Sequence, residues 1–316
     1  MSRLEGNLIS FSSDSGGLFS ELKSAGDIPT SAGWLNIGIE AVASPSSVNE
    51  LRKLVERGGN PKDRVDGVHG RLGTVLDPRD YEKGLIDWLF VQLADTLIAP
   101  TEGESMFDRF NPFTQGSLEM IALINKLSEL QGNSIYLNVH NDEVANRFVL
   151  YNRVVVPTLG RGKLLIENGP NKGGYNEVKR LVNMLRVSHD SDGKNLQVGG
   201  NLDFVHLVVE MEHGGMPDIA AVTRHWPRIL KLFESSIFGN VHIPIGLKKA
   251  DSLPILEMVR NNKVMLRDLV QMLVALGTHI TFENQHSMLM GVWNRSKEVD
   301  RLREIRDGFM EAGLKN

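Results

Sequence analysis

Side chains that could bind a metal ion recur at the ends of short apolar segments of this chain. In the clearest case the segment 163–166 leads directly into Glu167, and Asn168 and Gly169 follow. A segment this short is typical of a strand buried on both faces, so the acid stands where a strand opens into a loop. Comparable segments end at or near an acid or a histidine, at positions Glu40, His69, His140, Asp203, His242 and Glu283.

The residue types predict a divalent metal centre. Carboxylates and imidazoles gathered in one place are costly to bury without partners, and divalent ions accept mixed ligation by His, Asp and Glu. The chain has no cysteine, which excludes disulfides, thiolate ligands and cysteine nucleophiles. A single histidine or acid at a strand end is more often a structural residue or a helix cap. The recurrence of such residues on successive strands favours the metal centre.

The elements that must position these residues are short strands alternating with helices. Strands are predicted at 7–13, 34–42, 65–69, 134–140, 164–167, 197–203, 241–245 and 279–283. Helices are predicted at 44–55, 81–93, 116–130, 144–155, 177–185, 219–233, 266–276 and 296–312, with a bend or restart at Pro227. This alternation predicts a parallel sheet, and the eightfold count favours a closed (β/α)8 TIM barrel over an open doubly wound sheet.

The spacing of the strand-end residues indicates one barrel with one insertion. Most neighbours lie 27 to 41 positions apart, which suits one strand and one helix, whereas His69 and His140 are 71 apart. We therefore predict a single domain over 1–316 with an insertion at 76–113. In such barrels the carboxyl ends of the strands form the active site, which is where these residues would meet.

The bulk composition limits the compartment and the partners. A net charge of −4 gives no broad basic field, which argues weakly against a nucleic-acid partner. The first residues lack the pattern of a signal peptide, and no apolar stretch approaches the roughly 18 residues of a membrane span. We expect a cytoplasmic protein with no membrane partner, and the sequence does not indicate an oligomeric state.

The order His, His, Glu-Asn, Asp-x-x-His, His, Glu resembles the xylose isomerase-like superfamily over nearly the whole chain. Within it the pattern is most similar to the type-IV apurinic/apyrimidinic endonucleases, also called AP endonuclease family 2. The resemblance implies that Glu167 bridges two zinc ions. It assigns the other ligands as His69 and His140 at the first ion, Asp203, His242 and Glu283 at the second, and His206 at a third.

The chain departs from the endonuclease pattern at the third ion. The family uses an Asp-x-His motif after the seventh strand, whereas this sequence has Asp251 with Leu253 in place of the histidine. The glycine-rich segment that follows Glu-Asn in the family has only a loose counterpart at 169–174. Asp251 is therefore a candidate ligand, and a third ion is less strongly implied than the first two.

The first functional hypothesis is a metal-dependent hydrolase of a phosphodiester or phosphate ester. Two ions about 3.5–4 Å apart would activate a water and stabilise the leaving oxygen. Zinc is the expected ion, with manganese and magnesium as alternatives. His206 and Asp251 would contact the substrate phosphate or a third ion, and the substrate could be a nucleic acid. This hypothesis explains why His69 and His140 add a second set of ligands.

The second hypothesis is a sugar isomerase or epimerase that uses one ion. That ion would be held by Glu167, Asp203, His242 and Glu283, with the two glutamates as an acid/base pair. The histidines His69, His140 and His206 would then hydrogen-bond sugar hydroxyls. A third hypothesis, a catalytically silent barrel that binds a ligand, ranks below both because the four-ligand set is complete.

Overall fold

Eight parallel strands form a closed barrel in the computed structural model of the chain. The structure describes residues 9–13, 38–42, 45–59, 64–69, 115–141, 156, 159–168, 179–181, 183, 198–204, 207, 219–233, 238–244, 249–283 and 295–314. The strands are β1 (Ile9–Ser13), β2 (Gly38–Val42), β3 (Val65–His69), β4 (Tyr136–His140), β5 (Lys163–Glu167), β6 (Val198–Asp203), β7 (Phe238–Pro244) and β8 (His279–Glu283). Each strand pairs with the next, and β8 pairs with β1. The predicted TIM barrel is confirmed.

Helices cover the outside of the barrel. Those with full bounds are α1 (Pro45–Glu56), α2 (Gln115–Gln131), α3 (Ile219–Phe233), α4 (Lys249–Asn261), α5 (Lys263–Leu276) and α6 (Arg295–Glu311). Residues 179–181 and 183 are also helical, within the helix predicted at 177–185. The helices predicted at 81–93 and 144–155, and the insertion predicted at 76–113, lie outside the described residues. The single domain over 1–316 stays a prediction.

Two helices correct the sequence analysis. Helix α4 was not predicted, because Asp251, Ser252 and Pro254 are residues typical of loops. Its residues Ile255 and Met258 are fully buried in the core, so tertiary packing outweighs local propensity. Helix α3 is one helix that contains Pro227, so the predicted restart at this proline is wrong, whereas the alternative prediction of a bend there stays a prediction. No helix among the described residues has the length and apolarity that a membrane crossing needs.

Alternation along the strands separates an apolar outer layer from a polar interior. On β4, Leu137 and Val139 belong to the buried core beneath the helices. The alternate residue Tyr136 lies inside the barrel and reaches across it, where its hydroxyl lies 3.0 Å from Thr281 Oγ1. Asn240 donates to the same hydroxyl at 3.4 Å and accepts from Thr281 at 3.1 Å. These three residues form a hydrogen-bonded tier that we call the interior polar tier.

A buried ion pair lies near the amino ends of β3 and β8. Arg64 binds both oxygens of Asp66 at 2.8 Å, and the Asp66 side chain is 4% exposed. Nε2 of His279 lies 3.8 Å from Asp66, and its ring packs against Tyr136. Burial lowers the pKa of His279. His279 thus packs at the amino end of the barrel, away from the strand-end ligands at the carboxyl end.

Candidate metal centre

Five of the predicted ligands meet at the carboxyl end of the barrel. Strand pairing brings them together, because His140 is in register with Glu167, and Asp203 with His242. The side chains of Glu167 and His242 are fully buried, whereas those of His69 and His140 are 13% and 19% exposed. The ligands on β3 and β4 are therefore partly accessible to solvent, whereas those on β5 to β7 are not. We call the first the open side of the site and the second the closed side.

Glu167 is the central residue of this cluster. Its Oε2 lies 3.4 Å from His69 Nε2 and 3.4 Å from His242 Nδ1, and its Oε1 lies 3.7 Å from His140 Nε2. The next residue, Asn168, fixes the end of β5 to β6: its side chain donates to the carbonyl of Asp203 at 2.9 Å and accepts from the same residue's amide at 2.8 Å. The Glu-Asn pair thus combines a central carboxylate with a structural clamp.

Two asparagines that the sequence analysis did not select hold the Glu167 carboxylate. Asn138 and Asn201 both donate an amide N–H to Glu167 Oε2, the latter at 2.7 Å. A signal for them was present in the sequence, because each lies two positions before a strand-end ligand. In a strand that spacing places a side chain on the same face as the ligand.

Glu40 is the other residue whose role the sequence analysis missed, although it was one of the strand-end positions. It is fully buried and contacts His242 at 3.1 Å and His69 at 3.4 Å. Burial by itself would raise the pKa of Glu40, but the adjacent imidazoles of His242 and His69 outweigh burial and hold that pKa well below its usual range. Glu40 therefore stays ionised inside the barrel.

The electrostatics of the cluster favour a cation. Burial by itself would lower the pKa of His69, but the carboxylates of Glu167 and Glu40 outweigh it and raise the pKa to about 9. A buried imidazole that holds a proton so firmly shows that the local potential is strongly negative. The same negative potential would attract a divalent ion, which would replace the proton on the imidazole.

Among the described residues, three groups of donor atoms have a composition suited to divalent ions. Within each group the donor atoms lie within 4.8 Å of one another, and the groups are Glu40, His69 and His242; His69, His140 and Glu167; and Glu167, Asp203 and His242. Mixed nitrogen and carboxylate donors fit zinc and related ions. We call the set of His69, His140 and Glu167 the first donor group, and the set of Glu167, Asp203 and His242 the second donor group. The two groups share Glu167.

The remaining predicted site residues are placed less completely. Glu283 ends β8, in register with Pro244 and Ser12, so its backbone reaches the same end of the barrel. Its side chain, and all of His206, lie outside the described residues. Asp251 lies in α4, a helix absent from the sequence analysis, and its side chain also lies outside the described residues. Their ligand roles stay predictions.

Comparison with known proteins shows the fold. No family model matches the sequence, and neither does any curated protein. A solved structure described as "The crystal structure of AsfvAP:AG" aligns over 97% of this chain and 99% of its own, with a TM-score of 0.51 and 10% identity. At this identity the likeness establishes the fold and not the activity.

Two further solved structures align at lower scores. One is a sugar phosphate isomerase/epimerase from Parabacteroides distasonis, at 10% identity, covering 100% of this chain and 98% of that one, with a TM-score of 0.44. The other is a fusion of a xylose isomerase-like TIM barrel with 4-hydroxyphenylpyruvate dioxygenase, at 12% identity, covering 95% and 42%, with a TM-score of 0.43.

Proposed function

We propose that this chain is a divalent-metal-dependent hydrolase that cleaves a phosphodiester or a phosphate ester. The observation that carries the proposal is the sharing of Glu167 by two donor groups with different histidines. Of the two donor groups, the first alone contains His69 and His140, and the second alone contains Asp203 and His242. A reaction with one ion needs only one of these groups, whereas a two-ion centre uses both.

Each described residue has a distinct part in this proposal. Glu167 would serve both groups, because it is the residue that they share and its carboxylate contacts histidines of each. Asn138 and Asn201 would hold that carboxylate in place through their amide N–H groups. When bound, the ions would supply Lewis acidity and lower the pKa of a water. Glu283 would complete the second group, and His206 and Asp251 would contact the phosphate or a third ion.

The exposure pattern supports an approach of substrate from the side of β3 and β4. His69 and His140 are the partly exposed members of the cluster, whereas Glu40 and His242 are fully buried. The closed side would exclude water and keep the local dielectric low, which strengthens interactions with developing charge. An anionic ester would then meet the first donor group before the second.

The alternative is a sugar isomerase or epimerase built around one ion. One observation favours it: the second donor group is entirely buried, as a reaction that must exclude water would require. In that case Glu167 and Glu283 would exchange a proton with the sugar carbon. His69 and His140 would be hydrogen-bond partners of the substrate rather than ligands.

Ion counting and two assays distinguish these functions. The purified chain should hold about two zinc or manganese ions and cleave an oligonucleotide with an abasic site or a simple phosphodiester. His69→Ala should lose one ion and the cleavage. His225→Ala, a histidine on α3 remote from the donor groups, is the matched control and should retain both. One ion per chain, with proton exchange on a ketose that survives His69→Ala, would establish the isomerase instead.

A further inference from the structure

Glu40 lies between the two donor groups and contacts one histidine of each. Its Oε1 faces His69 Nδ1 at 3.4 Å, and its Oε2 faces His242 Nε2 at 3.1 Å. Each carboxylate oxygen thus faces a different imidazole: Oε2 is hydrogen-bonded to His242, whereas the contact of Oε1 with His69 has only an ion-pair distance. Glu40 is in register with Gly67, two residues before His69, so it lies nearer the amino ends of the strands than His69 does. It is fully buried at this position.

The two imidazoles present opposite nitrogens to Glu40. His69 directs Nδ1 to Glu40 and Nε2 to Glu167 Oε2, at 3.4 Å in both contacts. His242 directs Nε2 to Glu40 and Nδ1 to Glu167 Oε2, the latter at 3.4 Å. Each ring therefore has one nitrogen on the side of Glu40 and the other on the side of the shared carboxylate.

Metal binding requires that these two nitrogens differ in protonation. A ligating imidazole offers a lone pair to the ion and carries its one hydrogen on the other nitrogen. Both rings lie between two carboxylates, Glu40 and Glu167. An ion bound to Glu167 would take the lone pair of the nitrogen on its side, so the hydrogen would stay on the nitrogen that faces Glu40, whose ionised carboxylate can only accept it. A carboxylate behind a ligating histidine commonly fixes ring orientation and tautomer in this way.

We propose that Glu40 is a positioning residue that sets the tautomers of two metal-ligating histidines at once. His69 would carry its hydrogen on Nδ1 and bind through Nε2, and His242 would carry it on Nε2 and bind through Nδ1. The inference rests on the proposed metal centre and deepens it. One carboxylate would thereby couple the two donor groups, so that its loss affects more than one ion.

The isosteric change Glu40→Gln separates this role from a role in packing. An amide oxygen can accept from one imidazole, but the amide NH₂ can only donate to the other. One of the two rings must then turn its lone pair towards residue 40 and place its hydrogen on the metal side. We expect zinc affinity for at least one ion to fall by about 10- to 100-fold, the usual effect of losing such a partner.

Glu40→Asp provides the complementary test. It is shorter than the wild-type side chain but keeps two acceptor oxygens. If acceptors matter, Glu40→Asp should bind zinc more tightly than Glu40→Gln. If shape alone matters, the isosteric glutamine should bind zinc as wild type does, and the inference would be overturned. Ser128→Ala is the matched control for loss of a buried polar group, because Ser128 is fully buried and its hydroxyl accepts from the backbone amide of Ile135 rather than from Glu40.

The measurement is the ¹⁵N spectrum of the histidine rings in the zinc-loaded full chain, with a zinc titration against a competing chelator. The ring signals of His69 and His242 would be assigned from the variants His69→Gln and His242→Gln, each of which lacks the signals of one ring. We expect opposite tautomers, with the hydrogen on Nδ1 of His69 and on Nε2 of His242. The inference is overturned if those two nitrogens show metal-bound shifts, which would make Glu40 a direct ligand, or if the two rings share one tautomer.

Failure of the inference and failure of the proposed function can be told apart with the wild-type chain. If that chain binds no zinc, the metal centre itself is wrong. If it binds two ions and Glu40→Gln leaves affinity and tautomers unchanged, only the role of Glu40 is wrong. The wild-type tautomers remain decisive even if a Glu40 variant does not fold.

Discussion

Gly67 leaves the space that the ring of Tyr136 occupies inside the barrel, and Gly67→Ala tests this packing. The two residues are in register on β3 and β4. A Cβ at residue 67 would lie 2.1 Å from Cε2, 2.3 Å from Cζ and 2.6 Å from Cδ2 of that ring. Carbon atoms prefer separations of about 3.5–4.0 Å, so the ring or the strand would have to move by more than about 1 Å.

The ring has little freedom to move. Tyr136 is 4% exposed, and its hydroxyl is bonded to Thr281 and Asn240. Overpacking of a core costs about 1–3 kcal/mol, and each lost hydrogen bond about 1 kcal/mol more. We therefore expect Gly67→Ala to lower the free energy of unfolding by about 3–5 kcal/mol. That is a large part of the roughly 5–15 kcal/mol that stabilises a typical domain.

Urea unfolding of the metal-free chain measures the effect, and a glycine on β7 supplies the control. In Gly239→Ala the added carbon would meet Leu165 Cδ2 at 3.0 Å, and the end of a leucine side chain can yield. We expect that change to cost less than about 1 kcal/mol. In a Tyr136→Val background the ring is gone, so Gly67→Ala should cost little. An equal cost in both backgrounds, or a cost below about 0.5 kcal/mol in wild type, would refute the reasoning.

Three further predictions concern the metal centre and the amino end of the barrel. Asn201→Leu removes the 2.7 Å hydrogen bond to Glu167, so zinc affinity in a chelator competition should fall by about tenfold or more. In the metal-free chain, the pKa of His69 is raised from 6.5 to about 9, so protonated His69 stabilises the fold. This contribution is complete below pH 6.5 and is lost as pH rises through about 9. The free energy of unfolding in urea should therefore fall over that range, by at most about 3 kcal/mol. Asp66→Asn breaks the buried pair with Arg64 and should cost about 3–5 kcal/mol in the same assay, without changing zinc stoichiometry.

Each of these predictions has an outcome that would contradict it, and the last two also have a control variant. For the hydrogen bond to Glu167, zinc affinity unchanged by Asn201→Leu would show that the carboxylate is fixed by other contacts. For the pH effect, His69→Gln should abolish the fall, and a fall of equal size in that variant would assign it to another group. For the buried pair, Lys263→Ala breaks the exposed pair with Glu311 and should cost less than about 1 kcal/mol, so an equal loss in both variants would contradict the argument from burial.

Much of the candidate site could be predicted because parallel barrels constrain where strand ends lie. His140, Glu167 and Asp203 each end a strand, and the carboxyl ends of all eight strands meet at one face. Once the segments are recognised as alternating strands and helices, convergence follows from topology and needs no knowledge of side-chain contacts. The same reasoning holds for the backbone of Glu283.

The partners of those ligands could not be predicted in this way. Asn138 and Asn201 contact Glu167 from the two strands beside β5. Glu40 contacts His242 between β2 and β7, over 202 positions of sequence. Such contacts depend on the tilt and stagger of the closed barrel, which fix the depth of each inward residue. Helix α4 shows the same limit from outside the barrel, since burial of Ile255 and Met258 outweighs the loop-forming residues near its start.

The sequence by itself determined the eight-stranded barrel and the set of acids and histidines at its carboxyl end, because periodicity and strand length are local properties. Only the tertiary structure decided which oxygen of Glu167 faces which imidazole, and which nitrogen of His69 and His242 faces Glu40. Orientation is set by contacts between distant strands, and no local pattern of residues carries that information.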